Sequence, residues 1–394
     1  MRFFSARAAL LLFGVSLLRA DTYLVLPFFN ESGRPNLDWI GESIGEAILD
    51  GISSQGMLAV ARDDREEAYH RLSLQPSGSP LTLASVVRLG QSVDAEEVIY
   101  GTFDLKAADD PKKSRGSLHI QAQILDLKQF RQGPRFSEVG ALEDLAALQN
   151  QVAWQALKYI SPSTAPAEQD FLRRHPPVRV DALENYIRGL LAHKDEDRLR
   201  FFSQAVRLQS DFSPAAFQLG RLEWQQRQYR AAADWLQKVA QSDPDYLQAN
   251  FFLGLARFNS GDYAGAQGAF ELVAANLPLN EVLNDLGAAQ SRRNLPQAVD
   301  NFQKALDGDQ SDPAYQFNVG YALWKRGMFD QAADRFRAVL ERDPDDRDAP
   351  VLLERCQTRN GPRPGDTRTV NLERIKTNYE ESAYRELKSI LQKK

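Results

Sequence analysis

This 394-residue sequence holds one cysteine, three methionines and four histidines. A lone Cys356 excludes an internal disulfide framework and any site built on several cysteines. It lies in a leucine-rich helical stretch and reads as a half-buried core thiol rather than a reactive one. The histidines (His70, His119, His175 and His193) sit in separate segments, without HExxH or any paired metal spacing. There is no Gly-x-Ser-x-Gly elbow, no GxGxxG and no Gly-Lys-Ser/Thr. No catalytic role is therefore expected, and no cofactor or metal. Beyond the N-terminus no apolar run is long enough to span a membrane.

Positive charge is also short. The net charge is −5, and residues 1–20 hold Arg2, Arg7 and Arg19 but no acid, so the remainder carries −8. A body this acidic has no long-range attraction for nucleic acid or anionic lipid. Residues 1–20 read as an export signal: Arg2 and Arg7, an apolar run Ala8 to Leu18, then Leu18-Arg19-Ala20 before Asp21. The expected location is periplasmic, the alternative being anchorage by an uncleaved N-terminal segment.

What the sequence does have is a period. Gly189, Gly220, Gly254, Gly287 and Gly320 recur at intervals of 31 to 34 residues. Twelve residues after Gly220, Gly254 and Gly320 stand Ala232, Ala266 and Ala332, and Ala298 comes one residue early in the fourth unit. Four residues past each alanine is a bulky apolar side chain: Leu236, Phe270, Phe302 or Phe336. Small residues let two helices approach, the large one fills the space beside them, and Pro244, Pro278 and Pro344 end units. Gly261 and Gly327 supply the permissive backbone at the bend.

This pattern resembles the tetratricopeptide repeat, with about five units over 181–346 and a capping helix from Asp348 to Gln357 within 181–358. The resemblance implies a superhelix whose first helices line a concave face. Carried over, that face comprises Phe217, Arg221, Trp224, Phe251, Leu255, Phe258, Phe317, Tyr321, Trp324 and Lys325, with smaller groups Asn284, Ala288, Ser291 and Arg292 in unit 4. The partner expected there is a protein or peptide, an apolar segment. Phenylalanines stand where some family members keep the lysines that grip a C-terminal carboxylate. Taken ring by ring, packing between units is the simpler expectation; as a set, the rings favour binding.

Residues 21–160 differ in texture. Thr22 to Phe29 reads as a strand, and Leu37 to Ser54 as a helix striped by Leu37, Ile40, Ile44, Ile48 and Ile52. Met57–Ala61 reads as a strand, 63–74 and 81–93 as helices. Strands 96–105 and 117–127 form a hairpin around 106–116, and Leu142–Ile160 is a closing helix. Alternation of this kind argues a compact α/β domain. The run VLPFFNESGRPNLDWIGESIGEAI (Val25 to Ile48), with VIYGTFDL and ALEDLAALQNQVAWQAL, resembles the N-terminal domain of TolB. It implies an envelope-associated role and no cofactor. Glu31, Asp38, Glu42 and Glu46 exclude a phosphate site in the first loop, and Gly41 and Gly45 read as close packing.

The overall class expected is α+β: an α/β domain followed by an all-α superhelix. Residues 161–180 read as a linker with a short helical piece around Ala167 to Arg174, and residues 359–370 as a second linker. Residues 371–394 read as an amphipathic helix, striped by Leu372, Ile375, Tyr379, Ala383, Leu387 and Ile390, folded back on the solenoid or the N-terminal domain, or docking a partner or a second copy. The functional expectation is a non-enzymatic exported scaffold. The alternatives are a structural subunit of an envelope assembly, its groove filled by its own chain, and an accessory module of an envelope enzyme. The sequence leaves the oligomeric state open.

Overall fold

The computed structural model describes residues 21–75, 78–107, 115–363, 365–380, 383, 384 and 387. The expected export signal, the tip of the hairpin loop and Ile390 lie outside the described residues.

The N-terminal part is a mixed sheet with helices on both faces. In chain order it runs β1 (Thr22–Val25), β2 (Phe29–Asn30), α1 (Trp39–Ser53), β3 (Leu58–Ala59), α2 (Arg62–Arg71), α3 (Leu83–Ser92), β4 (Glu97–Lys106), β5 (Ser117–Asp126), β6 (Arg131–Ala141) and α4 (Leu145–Ile160). The sheet order is β3-β1-β4-β5-β6, with β2 also paired to β4. β1 is parallel to β3 and β4, while β4, β5 and β6 are antiparallel in sequence. Along β1 the two-residue period divides the core: Tyr23 and Val25 pack with α1 and α4, Leu24 and Leu26 with α2 and α3.

Ile40, Ile44, Ile48 and Ile52 are fully buried, which makes α1 the central helix. Its glycines allow the contact. A Cβ on Gly41 would lie 1.9 Å from the carbonyl oxygen of Phe28, so this glycine serves close packing. β6 has no counterpart among the expected elements. It is an edge strand, mostly exposed, with Gly133 and Pro134 within it, so no buried alternation marks it.

Residues 161–180 are not a free linker. α5 (Glu168–Arg174) buries Phe171 against Gly51 of α1, and the Phe171 ring stacks on His175 at 4.1 Å. Trp154 Nε1 donates to Pro166 O (3.2 Å) and Asn150 Nδ2 to His175 O (2.9 Å). Proline and small residues suggested a connector, but one buried aromatic is enough to pin it.

Helix pairs follow: α6/α7 (Val180–Leu191, Asp195–Leu208), α8/α9 (Ser213–Gln225, Tyr229–Leu236), α10/α11 (Tyr246–Asn259, Tyr263–Asn276), α12/α13 (Asn280–Arg292, Ala298–Gly308) and α14/α15 (Pro313–Lys325, Phe329–Arg342), closed by α16 (Ala349–Gln357). Each repeat glycine meets the large residue of its own unit. A Cβ on Gly254 would lie 2.5 Å from the Phe270 ring, and one on Gly220 2.6 Å from Leu236. The bends share a left-handed residue at Arg227, Gly261, Asn294 and Gly327, so the one-residue deletion in unit 4 is absorbed after the bend.

The first pairs are fused to the N-terminal domain, since one continuous core runs from the sheet through α6, α7 and α8. Arg62 donates to Leu190 O (2.6 Å) and Arg188 to Asn36 O (3.1 Å). Near this junction burial pushes Glu46 from the ordinary 4.5 up to about 7; Glu42 adds to the rise, while Arg65 and Arg62 oppose it. An acid raised on folding stabilises the fold fully below its unfolded value and loses that contribution as pH rises through the folded one. Urea midpoints should therefore fall between about pH 4.5 and about pH 7, and Glu46→Gln should flatten that fall. An unchanged slope in the variant would assign the pH dependence elsewhere.

Candidate functional site: a groove filled by the chain's own tail

Residues 369–379 lie against the first helices of the later units, α10, α12 and α14. The tail is not a helix there. Residues 372–376 have no regular secondary structure, and among the described residues after 371 helical backbone is found at 383, 384 and 387. The expected helix over 371–394 is corrected accordingly for its first part.

The main chain is clamped. Asn318 Nδ2 donates to Arg374 O (2.7 Å), and Asn318 Oδ1 accepts from Arg374 N (2.8 Å). Asn284 Nδ2 also donates to Arg374 O (2.8 Å), and Asp285 Oδ1 accepts from Lys376 N (2.8 Å). Toward α16, Tyr321 Oη donates to Thr369 O (2.8 Å), Arg292 donates to Asn371 O (2.7 Å) and Trp324 Nε1 donates to Asn360 O (2.8 Å). Bonds to alternate residues 374 and 376 are the signature of an extended strand read from one side.

The side chains are read by charge. The Glu373 carboxylate is buried, 1% exposed, with Arg292 Nε at 2.5 Å and Lys325 Nζ at 3.6 Å. Ser291 Oγ donates to it at 2.6 Å. Arg374 reaches Asp346 (2.6 Å) while its guanidinium lies 3.6 Å from the centre of the Phe317 ring. Lys376 reaches Asp312 (2.5 Å) and sits over Tyr315. Tyr379 meets Phe251 edge to face at 4.9 Å. Burial holds the Asp285 carboxyl well above the ordinary range, opposed by the Lys376 amide and the Asn284 amide.

The residues expected to form the concave surface divide into four groups. Phe251, Phe317, Tyr321 and Lys325 meet the tail directly, as do Asn284, Ser291 and Arg292 of unit 4. Phe258 supports Arg292 from beneath at 5.3 Å, and Trp324 stacks on Tyr321. Leu255 and Ala288 are fully buried between helices. Phe217, Arg221 and Trp224 form a separate cluster: the Arg221 guanidinium lies 5.6 Å from the Phe217 ring and 5.3 Å from Phe252, and Trp224 meets Phe252 edge to face at 5.3 Å. Most of these rings are interior residues rather than open surface. The occupant also differs from the apolar segment expected: ion pairs and main-chain bonds hold it as much as apolar contact.

Asn318, Asp285, Asp312 and Asp346 were not among the expected residues. The first had a signal. Asn250, Asn284 and Asn318 recur every 34 residues on the inner helices. Asn250 Nδ2 caps its own helix at Tyr246 O (2.8 Å), whereas the other two turn onto the tail. Cys356 is buried, and desolvation pushes its thiol up to about 11, so it is inert.

An α/β domain continuous with a helix-pair superhelix places the chain among repeat-built proteins. Residues 217–281 and 288–349 match the tetratricopeptide repeat family model, so tetratricopeptide repeats occupy that stretch of the helical part. No curated protein matches the chain. Among solved structures, YrrB, described as a TPR protein with an unusual peptide-binding site, is 21% identical, with a TM-score of 0.35, over 43% of this chain and 87% of its own. MamA from Desulfovibrio magneticus RS-1 is 23% identical, with a TM-score of 0.37, over 40% and 91%. PilF from Pseudomonas aeruginosa is 16% identical, with a TM-score of 0.36, over 42% and 76%.

Proposed function

We propose that the protein is a non-enzymatic exported scaffold that binds a protein or peptide partner through the concave side of its repeat array. The observation that carries this is the occupancy of that side by an extended peptide, the chain's own residues 369–379, clamped through main-chain atoms by Asn284, Asn318 and Asp285. A groove that reads main chain and charge in this way has the chemistry of peptide recognition. The N-terminal domain, of the TolB-N-like kind, is the base from which the array projects. Export rests on the signal expected over residues 1–20. Among the described residues no helix is long and apolar enough to cross a membrane.

The second reading, a structural subunit whose groove is permanently filled, is favoured by the same tail. Capture from envelope extract separates them, with the full chain compared to the same chain bearing Glu373→Lys and Lys376→Glu. A scaffold retains a defined protein, and retains more of it once the tail is weakened. Retention of nothing by either form, with both folded, would sink the scaffold reading and leave the structural one.

A further inference from the structure

The contacts of the tail specify what else the groove can hold. Resting on the scaffold reading, we propose that residues 369–379 are a resident stand-in for the partner. The partner itself is a protein with an extended segment of the form Glu-x-x-Lys-x-x-Tyr, which binds by displacing the tail.

Spacing fixes the first part. Arg374 lies over Phe317 on α14, and Tyr379 lies against Phe251 on α10. Those residues are five apart, about 16 Å of extended chain. Two steps between neighbouring inner helices at about 8–10 Å each cover the same distance. An extended segment therefore matches the spacing of the array, whereas five residues of helix would span only about 7.5 Å. The main-chain bonds at 374 and 376 are independent of side-chain identity, so any extended segment satisfies them.

Charge fixes the second part. Three groups converge on the position of Glu373: Arg292, Lys325 and Ser291. The groove at this point is a pocket for a carboxylate on a side chain, in the middle of a segment rather than at its end. Three residues on, Asp312 takes a cation from Lys376, with Tyr315 beneath it. Three residues further, Phe251 takes an aromatic edge. A partner lacking the glutamate would leave two cations facing a partly buried site without a counter-ion.

Exchange follows from how the tail is held. It reaches the groove across residues 358–370, a stretch with no helix or strand among its described residues, anchored to α16 by Arg355–Asp366 at 2.8 Å. Tethering gives a segment of this kind an effective concentration of about the millimolar order. A free ligand therefore binds with its affinity reduced by the fraction of open groove.

The test uses a fluorescein-labelled peptide of residues 366–380 and the full chain, wild type and bearing Glu373→Lys with Lys376→Glu. Those substitutions alter the tail and leave the groove intact. The charge-inverted chain is expected to bind the peptide at least tenfold more tightly than wild type. Peptide carrying Glu373→Gln should bind about tenfold more weakly, and Arg292→Ala in the groove should produce a similar loss. Equal binding by both chains, or no binding by a folded charge-inverted chain, overturns the proposal. Hydrogen exchange on wild type provides the second measurement. The Arg374 and Lys376 amides should exchange by local opening, well before the amides of α14; exchange only with global unfolding would make the tail a fixed part of the fold. A failure of the peptide beside successful capture from extract would remove this proposal and leave the scaffold reading standing.

Discussion

Arg65→Leu is expected to destabilise the protein by about 3–5 kcal/mol, the usual loss when one member of a buried ion pair is removed. Arg65 is 2% exposed on α2, and its guanidinium donates to the Glu42 carboxylate of α1 and to Val25 O of β1. Glu42 is itself 3% exposed, and its remaining partner is Arg62 at 3.0 Å. Leucine fills part of the volume but leaves a carboxylate in a dry site beside Glu46. The loss is then mainly the cost of a buried carboxylate left with Arg62 as its one cation. Adding Glu42→Gln should therefore recover more than half of it in urea unfolding at pH 7. If the double variant were as unstable as the sum of both singles, packing rather than charge would be the cause.

The pair also gives a role to one of the acids that exclude a phosphate site in the first loop. Glu42 begins α1, where an anion would otherwise be favoured by the helix dipole; here it is used to hold α2 against the sheet.

The repeats were legible because their spacing is enforced by contact: each glycine sits where its own unit's aromatic or leucine would collide with a side chain. β1 was legible because both of its faces are covered. β6 was not, because an exposed edge strand carries polar residues on both faces and leaves no period to find. The tail misled for a more interesting reason. Leu372, Ile375 and Tyr379 recur every three or four residues, which is the spacing of a helical stripe. Three residues of extended chain span about 10 Å, close to the distance between packed helices. A strand laid across a helical array therefore acquires nearly the same stripe as a helix, and composition alone does not separate the two. The asparagines at 284 and 318 were the available discriminator, since amides repeated on inner helices have main chain to bind.

Trp324→Ala and Phe251→Ala, the substitutions that an aromatic docking surface would suggest, are expected to cost about 3–5 kcal/mol each. Both rings are fully buried, Phe251 among Phe252, Phe270 and Tyr379, and Trp324 against Tyr321 with its indole bonded to Asn360 O. Stability in a solenoid is a sum over units and their neighbours. The loss at Trp324 should then fall on α14 to α16, whose amides would exchange before those of α10. Arg292→Ala should behave differently. Arg292 lies at the rim, 11% exposed, and its anionic partner is on the tail. Once the cation is gone, Glu373 can return to water by undocking, so no buried charge is stranded. The expected result is a loss of less than half that of Trp324→Ala, with fast exchange confined to residues 369–379. If Trp324→Ala instead released the tail and left the melting of the array unchanged, the ring would belong to the ligand surface rather than to the core beneath it.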